Sequence, residues 1–584
     1  MTPATLSLPR LTPPVAPEPI ARDGDSLITL DGDSRVALDG DSLTLEDVGR
    51  VARLGLRVEL SRDSAVLDRL DASLRLKEAL IADGLPIYGV TTGFGDSAHR
   101  QISPGKAEAL QRSLVRMLGC GTGDYAPLDE ARATVVVRAN CLARGHSAVR
   151  SVVIERLIAL LNADLTPAIR EQGSVGASGD LVPLSYVAAA LQGERRVFDH
   201  GRLRPAAEAL ASAAIEPLVL TSKEGLALVN GTAYMCGVAC LAALDARRVA
   251  LAADVCTALA IEVQSGLVEA FSSFAHDTAK PHPGQVRSAA NIRALLAGSR
   301  MTQDLGERTQ SSGPLGAITY RELPRRVQDP YSLRCAPHFI GALWDTLRWV
   351  DEWLSVEVNS SNDNPLFDSA GGRAINCGNF AGSHVGLAMD SLRTAVASVA
   401  DLLDRQLALV VDEKFNNGLP PNLAPRLPPG HLQTGLNHGF KALQIACSAL
   451  TAEALQLCTP LTPFSRSTEC HNQDKVSMGS IAARRTRDVV RLTEHVVAIH
   501  LLALCQAADL RGSSRLGATR GAYERVRAVS RALDADRELE DDIVAVVELV
   551  RDGSLFEALG LDENRLDENR LDHDRAARSR HERS

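Results

Sequence analysis

The chain has 584 residues, of which 45% are apolar and 23% charged, and its formal net charge is −9 at pH 7. That length can bury a large core, and that composition is ordinary for a globular protein. The negative balance argues against nucleic acid or an anionic membrane as the main partner. Aromatic residues are only 4%. Ala, Leu and Val dominate, which favours helix. The 11 cysteines include no CxxC pair. Cys236 and Cys240 have helix-face spacing but no His or Cys partners nearby. Small buried apolar thiols in a reducing cytoplasm are the expected reading.

In chain order, residues 1–26 are Pro-rich and lack a basic stretch leading into an apolar one. They read as a disordered tail, not a secretory signal. "LDGDS" occurs at Leu30–Ser34 and again at Leu38–Ser42. The second copy leads into a helix with Thr44 as its N-cap and Glu46 and Asp47 in the first turn. Residues 60–82 read as a second amphipathic helix. "YGVTTGFGD" (Tyr88–Asp96) breaks any helical period and reads as a loop. Helical patterns resume at "SPGKAEALQRSLVRML" and run to about Asn162.

The stretch "GSVGASGDLVPLSY" (Gly173–Tyr186) then sets Gly176, Ala177, Ser178 and Gly179 directly before Asp180. From Gly225 to Leu244 there is no charge over a length that could span a membrane. Asn230, Thr232 and three glycines interrupt it, so a helix buried on all sides is expected instead. Long helical patterns follow at His384–Val411, 435–458 and 480–510, and strand patterns are few and short. The fold class expected is all-α, an antiparallel long-helix bundle. A smaller, loop-rich region over 27–223 precedes it, and the bundle with its C-terminal helices covers 224–560. Residues 561–584 open on a five-residue repeat that cannot hold one helix face in register, and read as a charged disordered tail.

The chemistry starts from the small residues. Gly179 offers an unhindered amide nitrogen, Ala177 an uncrowded carbonyl, and Ser178 a hydroxyl on Cβ that can leave as water. Such a loop could close into a dehydrated ring with an exposed electrophilic methylene. Composition alone would equally allow a plain glycine-rich turn.

The wider string resembles the signature of the aromatic amino acid and histidine ammonia-lyases and aminomutases, and matching motifs recur in family order over roughly residues 36–550. The resemblance implies an ammonia-lyase (fumarase/aspartase-like) fold. It also implies that Ala177-Ser178-Gly179 forms 4-methylideneimidazole-5-one (MIO) autocatalytically, with no metal and no dissociable cofactor. "YGVTTGFGD" is similar to the family's mobile loop, which makes Tyr88 the catalytic base. A free phenol has a pKa near 10, so that role calls for a positive potential that lowers it. "LALVNGTAYM" makes Asn230 the residue that hydrogen-bonds the prosthetic group. "QDPYSLRCAPH" supplies Gln328, Tyr331 and Arg334. Two parallel guanidinium N–H groups suit a substrate carboxylate. "NSSNDNPLF" places Asn364 and "GNFAGSHV" places Phe380 at binding positions. Ala381 stands where the family more often has histidine.

"GLNHGFKALQ" and "STECHNQDKVSMG" supply Lys441, Glu469, Asn472 and Gln473, as in phenylalanine ammonia-lyases. By the same resemblance, histidine ammonia-lyases have a glutamate where Gln473 stands, to meet the imidazole, and its absence argues against histidine. The resemblance puts Met117 and Leu118 where family members read the ring end of the substrate. Neither can bond a phenol, so phenylalanine or a ring-substituted relative is favoured, with tyrosine also admitted. "HDTAKPH" (His276–His282) is poorly spaced for one helix face, and no metal site is expected.

The resemblance further implies a cytoplasmic homotetramer with active sites shared between three subunits. Its expected reaction begins with the substrate amine adding to the MIO methylene. Tyr88 then removes a β-proton, and ammonia leaves to give an arylacrylate. A 2,3-aminomutase forming a β-amino acid, a histidine ammonia-lyase and a catalytically silent helical scaffold remain as alternatives.

Overall fold

The computed structural model describes residues 35–562, apart from 310–312, 318, 324 and 429. The expected tails at 1–26 and beyond Asp562, and the first "LDGDS" copy, lie outside the described residues.

Four long helices form the bundle: Ala233–Val263, Ala336–Val358, Ser383–Val411 and Gly479–Arg511. The Ser383–Val411 and Gly479–Arg511 helices pack on each other, and the latter also packs on Ala233–Val263. The Ala233–Val263 helix is buried almost all round, since only Leu244, Asp245 and Arg248 along it escape burial. Its many alanines and Gly237 permit this. A Cβ on Gly237 would stand 2.8 Å from the Thr134 backbone nitrogen, so the helix Leu128–Ala143 lies unusually close there. One contiguous apolar core runs from Val36 to Phe556.

The local signals act as their chemistry predicts. Thr44 caps the Leu45–Arg53 helix, its hydroxyl accepting from Asp47 N at 3.0 Å. Asp63 caps Ser64–Ala82 through Ala65 N at 2.9 Å. The helix starts four residues later than the expected residue 60 because Arg57–Leu60 pairs as a strand with Arg35–Leu38. Among the described residues, strands are three or four residues long and form four small sheets. No helix among them is long and apolar enough to cross a membrane.

The uncharged stretch 225–244 is not one helix. It breaks into Glu224–Val229 and Ala233–Val263 around Asn230, Gly231 and Thr232. Gly231 has φ 141°, a backbone conformation available to glycine. A Cβ there would collide with Arg138 and Asn362. The break delivers Asn230 and Gly231 to the Gly173–Asp180 loop, where Gly231 bridges Gly179 as a parallel partner.

Candidate active site

The Gly173–Asp180 loop turns sharply, with Gly176, Ser178 and Gly179 all in the left-handed region at φ 75°, 52° and 73°. For Ser178 that conformation carries strain, which the surroundings must enforce. They do so at one atom. The Ser178 carbonyl oxygen accepts from Asn230 Nδ2 at 2.8 Å and from Gly231 N at 3.3 Å. The Ala177 carbonyl and the Gly179 N–H have no hydrogen-bond partner among the described residues. A Cβ at 179 would overlap the Gly231 carbonyl oxygen.

Behind the loop, Asp180 is fully buried and its carboxylate accepts from Met235 N at 2.8 Å and from Ser480 Oγ. Burial pushes its carboxyl up to about 6, against those hydrogen bonds. Asp180 thereby ties the Leu181–Leu191 helix to the starts of Ala233–Val263 and Gly479–Arg511.

Ser178 faces a cavity of about 650 Å³. Tyr88, Met117, Asn230, Asn364, Phe380, Glu469, Asn472 and Gln473 line it as well. Gln473 Nε2 donates to Ser178 Oγ at 3.0 Å, and its Oε1 accepts from Thr468 Oγ1 at 2.9 Å. The Tyr88 hydroxyl accepts from Gly95 N at 2.9 Å. Glu469 accepts from Asp96 N at 3.0 Å, so the Tyr88 loop and the 468–473 segment meet across the cavity mouth. Asn364 Oδ1 accepts from Cys377 N at 2.7 Å, which fixes the segment leading to Phe380.

The electrostatics of Tyr88 differ from the expectation. Burial raises the phenol above its usual range, the Gly95 hydrogen bond opposes this, and the Glu469 charge raises it further. This chain by itself does not supply the lowering potential that a phenolate base calls for.

Four expected residues lie elsewhere. Gln328 lines a separate cavity of about 270 Å³ with Arg308, Arg325 and Lys414. Tyr331 is 71% exposed, and the Arg334 guanidinium stacks 4.7 Å from its ring centroid while Nε donates to Asp329 O. Lys441 is the exposed first residue of Lys441–Gln456. The reason is the length of the bundle. Tyr331–Arg334 precedes the 23-residue Ala336–Val358 helix, and Asn364 follows it. Twenty-three residues at 1.5 Å each set the two groups about 35 Å apart. Lys441 shares the far end, since Phe440 N donates to Asn422 O just beyond the Ser383–Val411 helix.

The expected ring-reading pair also changes. Leu118 is 8% exposed and turned from the cavity, whereas Leu114 lines it beside Met117. Successive helical residues point about 100° apart, while i and i+3 share a face. That spacing is the signal that would have found Leu114. Phe94, Leu181, Leu226 and Asn376 were also missed. Phe94 sits within the Tyr88 loop, Leu181 within "GSVGASGDLVPLSY" and Leu226 at the start of "LALVNGTAYM", whereas Asn376 lies outside every motif.

Residues 43–528 match the family described as aromatic amino acid lyase. The chain belongs to that family. A tyrosine ammonia-lyase of Cupriavidus metallidurans is 41% identical over 521 residues, covering 88% of this chain and 96% of that protein. A histidine ammonia-lyase of a Geobacillus species is 37% identical over 510 residues, covering 87% and 95%. Among solved structures, the tyrosine aminomutase from Streptomyces globisporus aligns with a TM-score of 0.85 at 38% identity, covering 90% of this chain and 98% of that one. As a member of the aromatic amino acid lyase family, the protein is a carbon–nitrogen lyase of the ammonia-lyase and aminomutase class, and the mostly helical fold is that family's fold.

Proposed function

We propose that Ala177, Ser178 and Gly179 condense to MIO, and that the enzyme eliminates ammonia from an aromatic L-amino acid, phenylalanine before tyrosine. The observation that carries this reading is the treatment of the triad. Its central carbonyl oxygen is held by Asn230 and Gly231, while the Gly179 nitrogen and the Ala177 carbonyl, which must join, have no partner among the described residues. In ring closure the Gly179 nitrogen bonds to the Ala177 carbonyl carbon, and that oxygen leaves as water. Ser178 gives up its Cα proton and its Oγ as a second water. The finished group would supply an electrophilic methylidene carbon for the substrate amine.

The chain's own residues have separable tasks. Asn230 Nδ2 and Gly231 N donate to the oxygen that began as the Ser178 carbonyl. The Tyr88 hydroxyl stands in the same cavity to take the β-proton, since general bases act within hydrogen-bond reach. Leu114, Met117 and Phe380 give the aromatic ring apolar walls. With no donor from Leu114 or Met117, the pocket cannot strongly favour a phenol. Gln473 offers an amide where a carboxylate would suit imidazole, which disfavours histidine.

Arg334, Tyr331, Gln328 and Lys441 stand at the opposite bundle end. Their part in the reaction therefore requires other copies of the chain, and a homotetramer with sites shared among three subunits meets that requirement. There the Arg334 guanidinium would pair with the substrate carboxylate.

The fold similarity to a tyrosine aminomutase favours a second reading, in which ammonia returns at Cβ to give a β-amino acid. Chromatography of products from phenylalanine, tyrosine and histidine, each offered separately, tests both. Arylacrylate with ammonia supports the lyase, a β-amino acid the mutase. No turnover of any of the three would overturn the function.

A further inference from the structure

Arg138 lies in the middle of the Leu128–Ala143 helix and is 0% exposed. Its Nη1 donates to the Asn230 carbonyl oxygen at 2.9 Å and contacts Asn362 Oδ1 at 3.3 Å. Nε and Nη2 have no hydrogen-bond partner among the described residues. Arg138 also makes no ion pair with any described carboxylate. The nearby Asp363 is paired with Lys223, and Glu357 accepts from the Thr232 hydroxyl at 2.6 Å. A buried guanidinium with no carboxylate in ion-pair contact is costly to fold. An apolar side chain of similar volume would leave the Asn230 carbonyl and Asn362 Oδ1 without their Arg138 donor, so polar contacts rather than packing hold the arginine there.

Its one strong hydrogen bond goes to a peptide group that is itself committed. The Asn230 carbonyl belongs to the same peptide unit as the Gly231 N–H, which donates to the Ser178 carbonyl oxygen at 3.3 Å. Asn230 Nδ2 donates to that oxygen from the other side. A donor on a peptide oxygen polarises the unit and makes its N–H a stronger donor, and low dielectric enlarges the effect. The chain of contacts runs from Arg138 Nη1 through the Asn230–Gly231 peptide to Ser178 O. Gly231 makes it physically feasible, because a Cβ there would occupy the place of Arg138 Nη1.

We propose that Arg138 is a positioning residue whose unpaired charge, relayed by the Asn230–Gly231 peptide, draws electron density onto the Ser178 carbonyl oxygen. The inference rests on the MIO reading. It bears first on formation of the group. Loss of the Ser178 Cα proton puts negative charge on that oxygen. The electron pair then forms the Cα–Cβ double bond, the Cβ–Oγ bond breaks, and the hydroxide leaves with a proton as water. A positive potential at the oxygen lowers the cost of the first event. The same oxygen terminates the conjugated system of the finished group, so turnover feels the same potential.

The test uses the full-length protein and two readouts, intact mass over time and steady-state kinetics. Arg138→Gln removes the charge and Arg138→Lys retains it. Asn362→Asp sets a carboxylate against Nη1 and neutralises the charge while Arg138 stays in place. Asn362→Ser, which loses the same Nδ2 contacts without adding charge, is its comparison. Wild type should be lighter than its sequence by about 36 Da, two waters. Asn362→Asp should fold, dehydrate more slowly than Asn362→Ser, and lose kcat about tenfold or more with KM little changed, below the roughly 10²–10³ that follows loss of a direct donor. Arg138→Lys should outperform Arg138→Gln in both readouts.

A purely structural arginine predicts the opposite for Asn362→Asp, where the new ion pair would leave mass and kcat at the Asn362→Ser level. That result, or equal behaviour of the Lys and Gln variants, overturns the proposal. If Arg138→Gln fails to fold, the Asn362 pair decides. A wild-type mass equal to the sequence would instead overturn the MIO reading itself.

Discussion

Gly179 lies so close to Gly231 that a side chain on the first would overlap the carbonyl oxygen of the second. Asp180 N also donates to that oxygen at 2.7 Å, so the oxygen cannot retreat without breaking a buried hydrogen bond. Gly179→Ala should therefore displace the amide nitrogen that closes the ring in the proposed MIO reading. A Cβ at φ 73° and a backbone collision together cost about 2 kcal/mol or more. The variant should melt earlier than wild type and keep its full sequence mass. A complete two-water mass deficit in Gly179→Ala would show that this contact does not govern cyclisation.

Tyr88 yields a test of charge as well as of role. Tyr88→Phe removes only the hydroxyl, whose contact is Gly95 N, and should fold. Loss of a general base costs about 10²–10⁴ in rate. Retention of more than about a tenth of wild-type kcat would assign the proton to another residue. Glu469 raises the Tyr88 pKa through its negative charge. Glu469→Gln should lower that pKa and shift the alkaline rise of the pH–rate profile to lower pH, whatever it does to kcat. A rise that stays in place means that Tyr88 does not set it.

His500 is fully buried in the Gly479–Arg511 helix, and neither ring nitrogen has a partner among the described residues. Burial drives its pKa down to about 3 from 6.5. The sign follows from linkage. The unfolded chain binds the proton more readily, so this site's stability is complete above pH about 6.5 and is lost as pH falls toward about 3. At pH 5 the loss is about 2 kcal/mol. His500→Leu should remove that acid sensitivity and match or exceed wild-type stability at neutral pH, because no buried N–H is left unpaired. Denaturant titrations of both proteins at pH 5 and 7 measure it. An unchanged pH difference in the variant would place the sensitivity elsewhere.

The sequence made the helices legible because their signals are local. Thr44 and its capping partner Asp47, or the apolar spacing of 384–411, need no knowledge of distant residues. The motifs around Ser178, Asn230 and Gln473 converge in space because each precedes a helix start, and Asp180 ties those three starts together. What stayed hidden depends on tertiary distance. Nothing local to Arg334 reveals that a 23-residue helix separates it from Asn364. Asn230, Gly231 and Thr232 interrupt the apolar stretch in the sequence, but nothing local shows why the helix must break there, which is that Gly231 lies between Gly179 and Arg138. Arg138 itself reads as an ordinary helical arginine until its burial is seen.

In the proposed reading, ring selectivity rests on the face that Leu114 and Met117 share. Leu114 is 4% exposed and Met117 63%, so Met117 has room to accept a larger polar side chain without disturbing the core. Neither offers a phenol a partner, and phenylalanine should be used at least as well as tyrosine. Met117→His places a donor and acceptor on the cavity side of the Ala107–Met117 helix, where a para hydroxyl gains a hydrogen bond. One such bond is worth about 0.5–1.5 kcal/mol net, roughly a 2- to 12-fold change in the ratio of kcat/KM values toward tyrosine. Leu118→His is the internal control. Leu118 is buried away from the cavity, with its carbonyl accepting from Ser185 Oγ at 3.1 Å. A histidine there should cost stability and leave the ratio alone. The measurement is kcat/KM for both amino acids on wild type and the two variants. A strong wild-type preference for tyrosine that Met117→His leaves unchanged would mean that another cavity group, such as Asn376 or Asn472, reads the ring.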